Sequence, residues 1–261
     1  KEMQKRRRET KTINEWDSQY QLHSKPIHDV RLNPDRMIPY DIEPTVRQAN
    51  GETLLMLGGV RLVGVKARWD CSLGKINSDA SALCVIFTDE AGRLYWHRAV
   101  GLTGELEEFS PDGKTLTGGQ IKQMLDILKP LSVPNVVIET NGVGGFVPAI
   151  ALKHLKLHGI SVTSDHQTTN KQKRILDAFE PPLSSEFLWV HTSVLDSPAS
   201  AQMREFNPAL TNQPDDYIDS GAGAIADTPV RIGKVFGNPN MSLMNDWRPS
   251  AGVFEVELEH S

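Results

Sequence analysis

Three strand-like segments follow one another closely, and they limit the fold more than any other feature of the chain. RLVGVKARWD (residues 61–70) places Val63, Val65, Ala67 and Trp69 on one parity. ASALCVIFTDE (80–90) and GRLYWHRAVGL (92–102) are rich in strand formers, and the DEAG between them has the composition of a hairpin turn. Consecutive strands joined this tightly predict an antiparallel meander.

The pattern then changes period. GGQIKQMLDILKPL (118–131) carries apolar residues at 121, 124, 125 and 128 and stops at Pro130, which predicts a helix. NVVIET (135–140) reads as a short buried strand, and FVPAIALKHLKLHG (146–159) as a helix with Gly159 as its stop. ISVTSDHQ (160–167) and FLWVH (187–191) predict strands. NKQKRILDAF (170–179), SPASAQMREF (197–206) and PDDYIDSGAGAIA (214–226) predict helices. The order is three strands, a helix, alternating strands and helices, and a helical finish. The expected class is α/β, with a mixed sheet made of the antiparallel meander plus parallel strands, flanked by helices.

A chain of 261 residues with 39% hydrophobic and 23% charged residues suits one large domain with extensions. Its net charge of −5 excludes a global attraction to polyanions, so a nucleic-acid partner must be met by a local patch or through bound cations. Cys71 and Cys84 make neither a disulfide framework nor a zinc motif, and suit a reducing compartment. No apolar run approaches the ~18 residues of a membrane span. The basic, polar start KEMQKRRRETK is unlike a signal peptide and has no initiator Met, as expected of a piece of a longer chain. The expected organisation is a basic arm or linker over 1–53, a compact domain over 54–235 and an acidic tail over 236–261.

One stretch, NQPDDYIDSGAGAIA (212–226), sets Asp215, Asp216 and Asp219 just ahead of a small apolar run, with no Lys or Arg inside it. Asp215 and Asp219 are four apart and Asp216 and Asp219 three apart, so on a helix they are neighbours and repel. Asp215 and Asp216 also suit the first turn after Pro214, where the helix dipole favours negative charge. That leaves Asp219 unexplained, together with Asp70 at the end of the first strand of the meander and Glu139 at the end of the fourth. Taken as an ordered set, the five acids predict a site for divalent cations. Carboxylates select Mg²⁺ or Mn²⁺, and two such ions suit phosphodiester hydrolysis.

The element order and the acids taken from distant positions are those of ribonuclease H-like nucleases. More narrowly, WDCSLGKINSDASALCVI, NVVIETNGVGG, TTNKQKRIL and DDYIDSGAGAIA resemble the nuclease domain of the large terminase subunit of tailed double-stranded DNA bacteriophages, over about residues 60–227. The upstream EWDSQYQLHS resembles the segment that joins the ATPase motor to the nuclease in that family. The resemblance implies a metal-dependent endonuclease that cuts concatemeric viral DNA during packaging, in the host cell cytoplasm. It implies double-stranded DNA, a portal protein and a small terminase subunit as partners. It also implies Asp70, Glu139 and the 215–219 cluster as metal-binding acids, with Asp219 the first choice for the late ligand, Asp215 the second, and Asp79 structural. Lys66 and Arg68 depart from the pattern, since they share the parity of Asp70 where apolar residues are expected.

Other motifs are weaker. PDGKT (111–115) has Glu108 where a phosphate loop needs Gly, and NGVGG (141–145) lacks the dinucleotide fingerprint. Lys171, Lys173 and Arg174 form the best local basic patch and are expected to contact the DNA backbone. A Holliday-junction resolvase-like nuclease and a non-catalytic module docking on portal or capsid are the alternative functions.

Overall fold

β-branched and aromatic residues alternating in sequence build the central strands, as the period-2 pattern requires. The computed structural model describes residues 32–49, 52–72, 81–141, 145–210 and 212–232. The basic run and EWDSQYQLHS, Asp79, residues 142–144 and the segment 236–261 lie outside the described residues.

The meander consists of β4 (Val60–Asp70), β5 (Ser81–Asp89) and β6 (Leu94–Leu102), paired antiparallel. The β5–β6 turn forms as expected: Gly92 has φ of 81°, and Asp89 Oδ1 accepts from the backbone of Ala91 and Arg93. β5 is buried along its whole length because both of its faces are covered.

β9 (Asn135–Glu139) runs parallel beside the end of β4, and β10 (Ser161–Asp165) runs parallel beside β9. On the far side, β11 (Leu188–His191) pairs parallel with β6, and β1 (Ile38–Tyr40) pairs parallel with β11. β2 (Thr45–Ala49) and β3 (Glu52–Leu57) extend the sheet from the start of β4, and β12 (Val230–Arg231) pairs with its middle. Residues 38–49, which the sequence assigns to an arm, therefore contribute strands to the main sheet. Tyr40 anchors β1: its hydroxyl lies 3.0 Å from His97 Nδ1, and His97 Nε2 lies 3.0 Å from Glu43. A separate hairpin, β7 (Glu108–Phe109) with β8 (Leu116–Gly118), precedes the first helix.

Two helical layers cover the sheet. α1 (Gly119–Leu128) and α2 (Phe146–Leu155) lie on the face that takes Val65, Ala67 and Trp69, together with Leu83, Val85 and Phe87. α2 ends as expected, through a 3₁₀ turn to Gly159 at φ 75°. The other face takes Cys84, Ile86 and Trp96. It is covered by α3 (Lys171–Ser184), the short α4 (Thr192–Leu195), α5 (Pro198–Glu205) and α6 (Asp216–Ala226). Asn170 caps α3 by accepting from Lys173 N, and Ser197 caps α5.

α6 sits unusually close to the sheet. Ser220 Oγ donates to the carbonyls of Arg68 and Ala82 at 3.0 and 3.2 Å. A Cβ added at Gly223 would stand 2.2 Å from Arg68 Nε, and one at Gly221 would stand 2.9 Å from the Trp96 ring. The small residues of SGAGA are what let the helix approach. Gly223→Ala sets a helix-propensity gain of about 1 kcal/mol against overpacking of about 1–3 kcal/mol. With a buried guanidinium as the obstacle, the clash wins, and the urea midpoint falls. A raised midpoint would refute the close approach.

Candidate active site

Strand register brings the first two acids together. Asp70, the last residue of β4, pairs with Glu139, the last of β9, and Glu139 pairs in turn with Asp165, the last of β10. In-register residues of parallel strands point to the same face, here the face covered by α6. Asp215 is the N-cap residue of α6, and Asp216 and Asp219 lie in its first turn, all three buried. The five predicted acids thus converge from three elements.

Positive charge also converges there: the acidic stretch holds no Lys or Arg of its own, but α3 supplies both. Lys171, at the start of α3, reaches Asp215 Oδ1 at 2.6 Å and Asp219 Oδ2 at 3.3 Å. Arg174, one turn on, donates through Nε to Asp219 Oδ1 at 3.1 Å and lies 3.6 Å from Glu139. Two of the three residues expected to contact DNA therefore engage the acids, and only Lys173 is exposed to solvent. His166, which follows Asp165, is exposed as well.

Beneath the acids lies a second network. Arg68 has a side chain with 0% exposure, and its Nη2 donates to Glu139 Oε2 at 2.9 Å and to Asp165 Oδ2 at 2.7 Å. Its Nη1 lies 3.1 Å from the carboxylate of Asp227, just past the end of α6. Lys66 Nζ donates to the carbonyl of Ile225 at 2.6 Å. The two cations that broke the apolar parity of β4 thus dock the C-terminal end of α6. Asp165, Arg68 and Asp227 are site residues that the sequence reading missed. Asp165 ends its strand as Asp70 and Glu139 do, and that signal would have found it.

The charges do not balance at Asp70. Burial, then the charges of Glu139 and Asp219, push its carboxyl up to about 7, with Lys171 opposing. Burial also disfavours the charged form of Lys171, but Asp219 and Asp215 outweigh it and hold the ammonium well above its usual range. Burial of Asp165 is likewise outweighed, by hydrogen bonds from Arg68 and Gln167 that hold it below the usual carboxylate range. Thus Asp70, Glu139, Asp215, Asp216 and Asp219 face Lys171 and Arg174, with Arg68 shared among three carboxylates.

The donor set fits a hard divalent cation, since every candidate ligand atom is a carboxylate oxygen. In the arrangement seen, with Lys171 and Arg174 drawn in, no group of three or more His, Cys, Asp or Glu among the described residues is disposed to hold a metal ion. Lys171 and Arg174 between them engage both Asp219 oxygens, so for Asp219 to act as a ligand they would have to yield them.

Residues 72–188 match the family described as Terminase Bacteriophage T7, Ribonuclease H-like domain. That span includes Glu139, Asp165 and the first turn of α3, while Asp70 and the acids of α6 lie outside it. No curated protein matches the chain in sequence. Among solved structures the chain is similar to the nuclease domain of the large terminase subunit gp2 of bacterial virus Sf6. The identity is 9%, the match covers 63% of this chain and 89% of that one, and the TM-score is 0.43. A structure of that domain with manganese and beta-thujaplicinol gives a TM-score of 0.42 at the same identity and coverage. The yeast mitochondrial Holliday junction resolvase Ydc2 gives a TM-score of 0.29 at 12% identity, covering 62% of this chain and 75% of that one.

Two outcomes follow from the charges. An acid whose carboxyl is raised in the fold gives stability that is complete below its unfolded value, about 3.9, and is lost as pH rises through the folded value. Metal-free Asp70→Asn therefore gains on the wild type in thermal midpoint between pH 4 and pH 7 and levels off above, a shift of several degrees at about 2–4 °C per kcal/mol for a domain of this size. A difference independent of pH would count against the charge cluster. Arg68→Met strands three carboxylates and costs about 3–5 kcal/mol by urea denaturation.

Proposed function

We infer that this chain, whose residues 72–188 match the ribonuclease H-like domain of the bacteriophage T7 terminase, is a metal-dependent DNA endonuclease that cuts concatemeric viral DNA during genome packaging. The observation that carries this reading is the register that sets Asp70 beside Glu139 beneath the first turn of α6, where Asp219 completes the set.

Asp70, central among the acids, would hold two Mg²⁺ or Mn²⁺ ions together with Glu139 and Asp219. Asp215, held by Lys171, is the second choice for the late position, and Asp216 adds to the field on Asp70. Bound there, such ions supply water activation and stabilise the leaving oxygen of a phosphodiester. The protein's own groups do the positioning. Arg68 fixes one Glu139 oxygen and so orients that carboxylate, while β4 and β9 hold the separation of Asp70 from Glu139. Lys171 and Arg174, released from Asp219, sit where they can meet a DNA phosphate, and exposed Lys173 extends that contact outward. Within a packaging motor, the portal protein and the small terminase subunit are the expected partners. No helix among the described residues is long and apolar enough to cross a membrane.

Plasmid cleavage with Mg²⁺, Mn²⁺ or EDTA tests this reading. Metal-dependent cutting is expected, lowered at least ~100-fold by Asp70→Ala and by Asp219→Asn, since each removes several kcal/mol of charge stabilisation. Equal traces from wild type and variants would overturn the catalytic assignment in favour of a docking module. A strong preference for four-way junctions over linear duplex would favour a resolvase-like activity.

A further inference from the structure

A cavity of about 760 Å³ opens beside the acid cluster, between α3, α6 and the turn that leads into β11. Asp165 and Arg174 belong to both places, so whatever fills the cavity adjoins the reacting site. Its character changes across its width. The end shared with the acids carries Asp165, Gln167 and Arg174, and the opposite wall is Leu94, Pro181, Pro182 and Phe187.

Three observations point to a ligand. Arg174 has a side chain only 9% exposed, and Nη1 has no hydrogen-bond partner among the described residues, although Nε and Nη2 are engaged by Asp219. A buried guanidinium N–H left this way calls for an acceptor. Phe187 is 42% exposed, yet its backbone is pinned on both sides, N to the Pro182 carbonyl and O to Leu94 N, each at 2.9 Å. The residue before it, Glu186, has φ of 58°, a left-handed conformation that side chains other than Gly rarely adopt. A strained turn thus holds an aromatic ring at the wall of a cavity instead of burying it.

The carboxylates do not make the cavity a cation trap. Asp165 and Asp227 are paired with Arg68, and exposed Asp177 faces solvent. What fits is planar, apolar on its faces and polar at its edge, and is carried on a backbone that passes over the acids. We propose that this cavity receives a nucleobase everted from the strand being cut, stacked on Phe187 with its polar edge toward Gln167 and Arg174. This rests on the endonuclease reading. A base inside a duplex cannot reach such a cavity, so it must leave the stack, and base–aromatic stacking compensates for much of that loss. Cutting would then favour steps that unstack readily.

A set of short duplexes, each with a single 2-aminopurine at a different step, tests the proposal with Ca²⁺ in place of Mg²⁺ or Mn²⁺. The full chain is expected to raise fluorescence several-fold at steps where the base leaves the stack. Phe187→Ala and Ala178→Trp, which removes the platform or fills the cavity, are expected to abolish the rise while circular dichroism shows the native fold. An end-labelled duplex reports overall affinity by anisotropy. Binding without any 2-aminopurine signal, a wild-type signal in both variants, or no DNA binding at all overturns the cavity assignment. Asp70-dependent plasmid cutting by a chain that fails this test leaves the endonuclease reading standing. A Phe187-dependent signal from a chain that cuts nothing supports base binding and removes the endonuclease reading alone.

Discussion

Arg68 holds a full positive charge at a position with no exposed surface, and much of the molecule is arranged around that fact. A guanidinium so placed is tolerable only when carboxylates surround it with good geometry. Glu139, Asp165 and Asp227 do so, from the ends of two strands and from the residue that follows α6. One side chain of β4 thereby ties together β9, β10 and the last turn of the helix that carries the late acids. The helix can come this near only because Gly223 offers no Cβ to the guanidinium. Small residues on α6 and large charge on β4 are two halves of one packing solution.

Above that network the balance tips the other way. Asp70, Glu139 and the acids of α6 face only Lys171 and Arg174, and burial together with the charges of Glu139 and Asp219 raises the Asp70 carboxyl. The two layers have different tasks. The lower one pairs its carboxylates with a buried cation of the protein, Arg68, and fixes geometry, orienting Glu139 from beneath. The upper one carries more carboxylates than cations, the condition in which a hard cation would add stability. Lys171 and Arg174 are poised between the two roles, since the oxygens they hold are those a cation would need.

Sequence reading recovered the meander, α1, α2 with its Gly159 stop, and the strands that end in Glu139 and Asp165, because each announces itself by local period or by a capping residue. It was less informative where the signal is weak or the partner distant. β1 to β3 are short, and residues 38–49 look like linker until β1 is seen lying against β11. Lys171 and Arg174 at the start of a helix look like any solvated basic turn. Their contact with Asp219 exists only because α3 and α6 pack together. Lys66 and Arg68 were visible as misfits on an otherwise apolar parity, and the misfit was itself the clue to buried ion pairing.

Periodicity, turn residues and caps depend on neighbours a few positions away, so the α/β class, most elements and the five acids were determined by the sequence alone. The site was not, because its bonds join residues far apart in the chain. Arg68 meets Glu139 across 71 positions, Asp165 across 97 and Asp227 across 159. Only the parallel register of β4, β9 and β10, together with the docking of α6, decides which of these charges meet and which cation each carboxylate finds. Nothing local in a sequence encodes that distance.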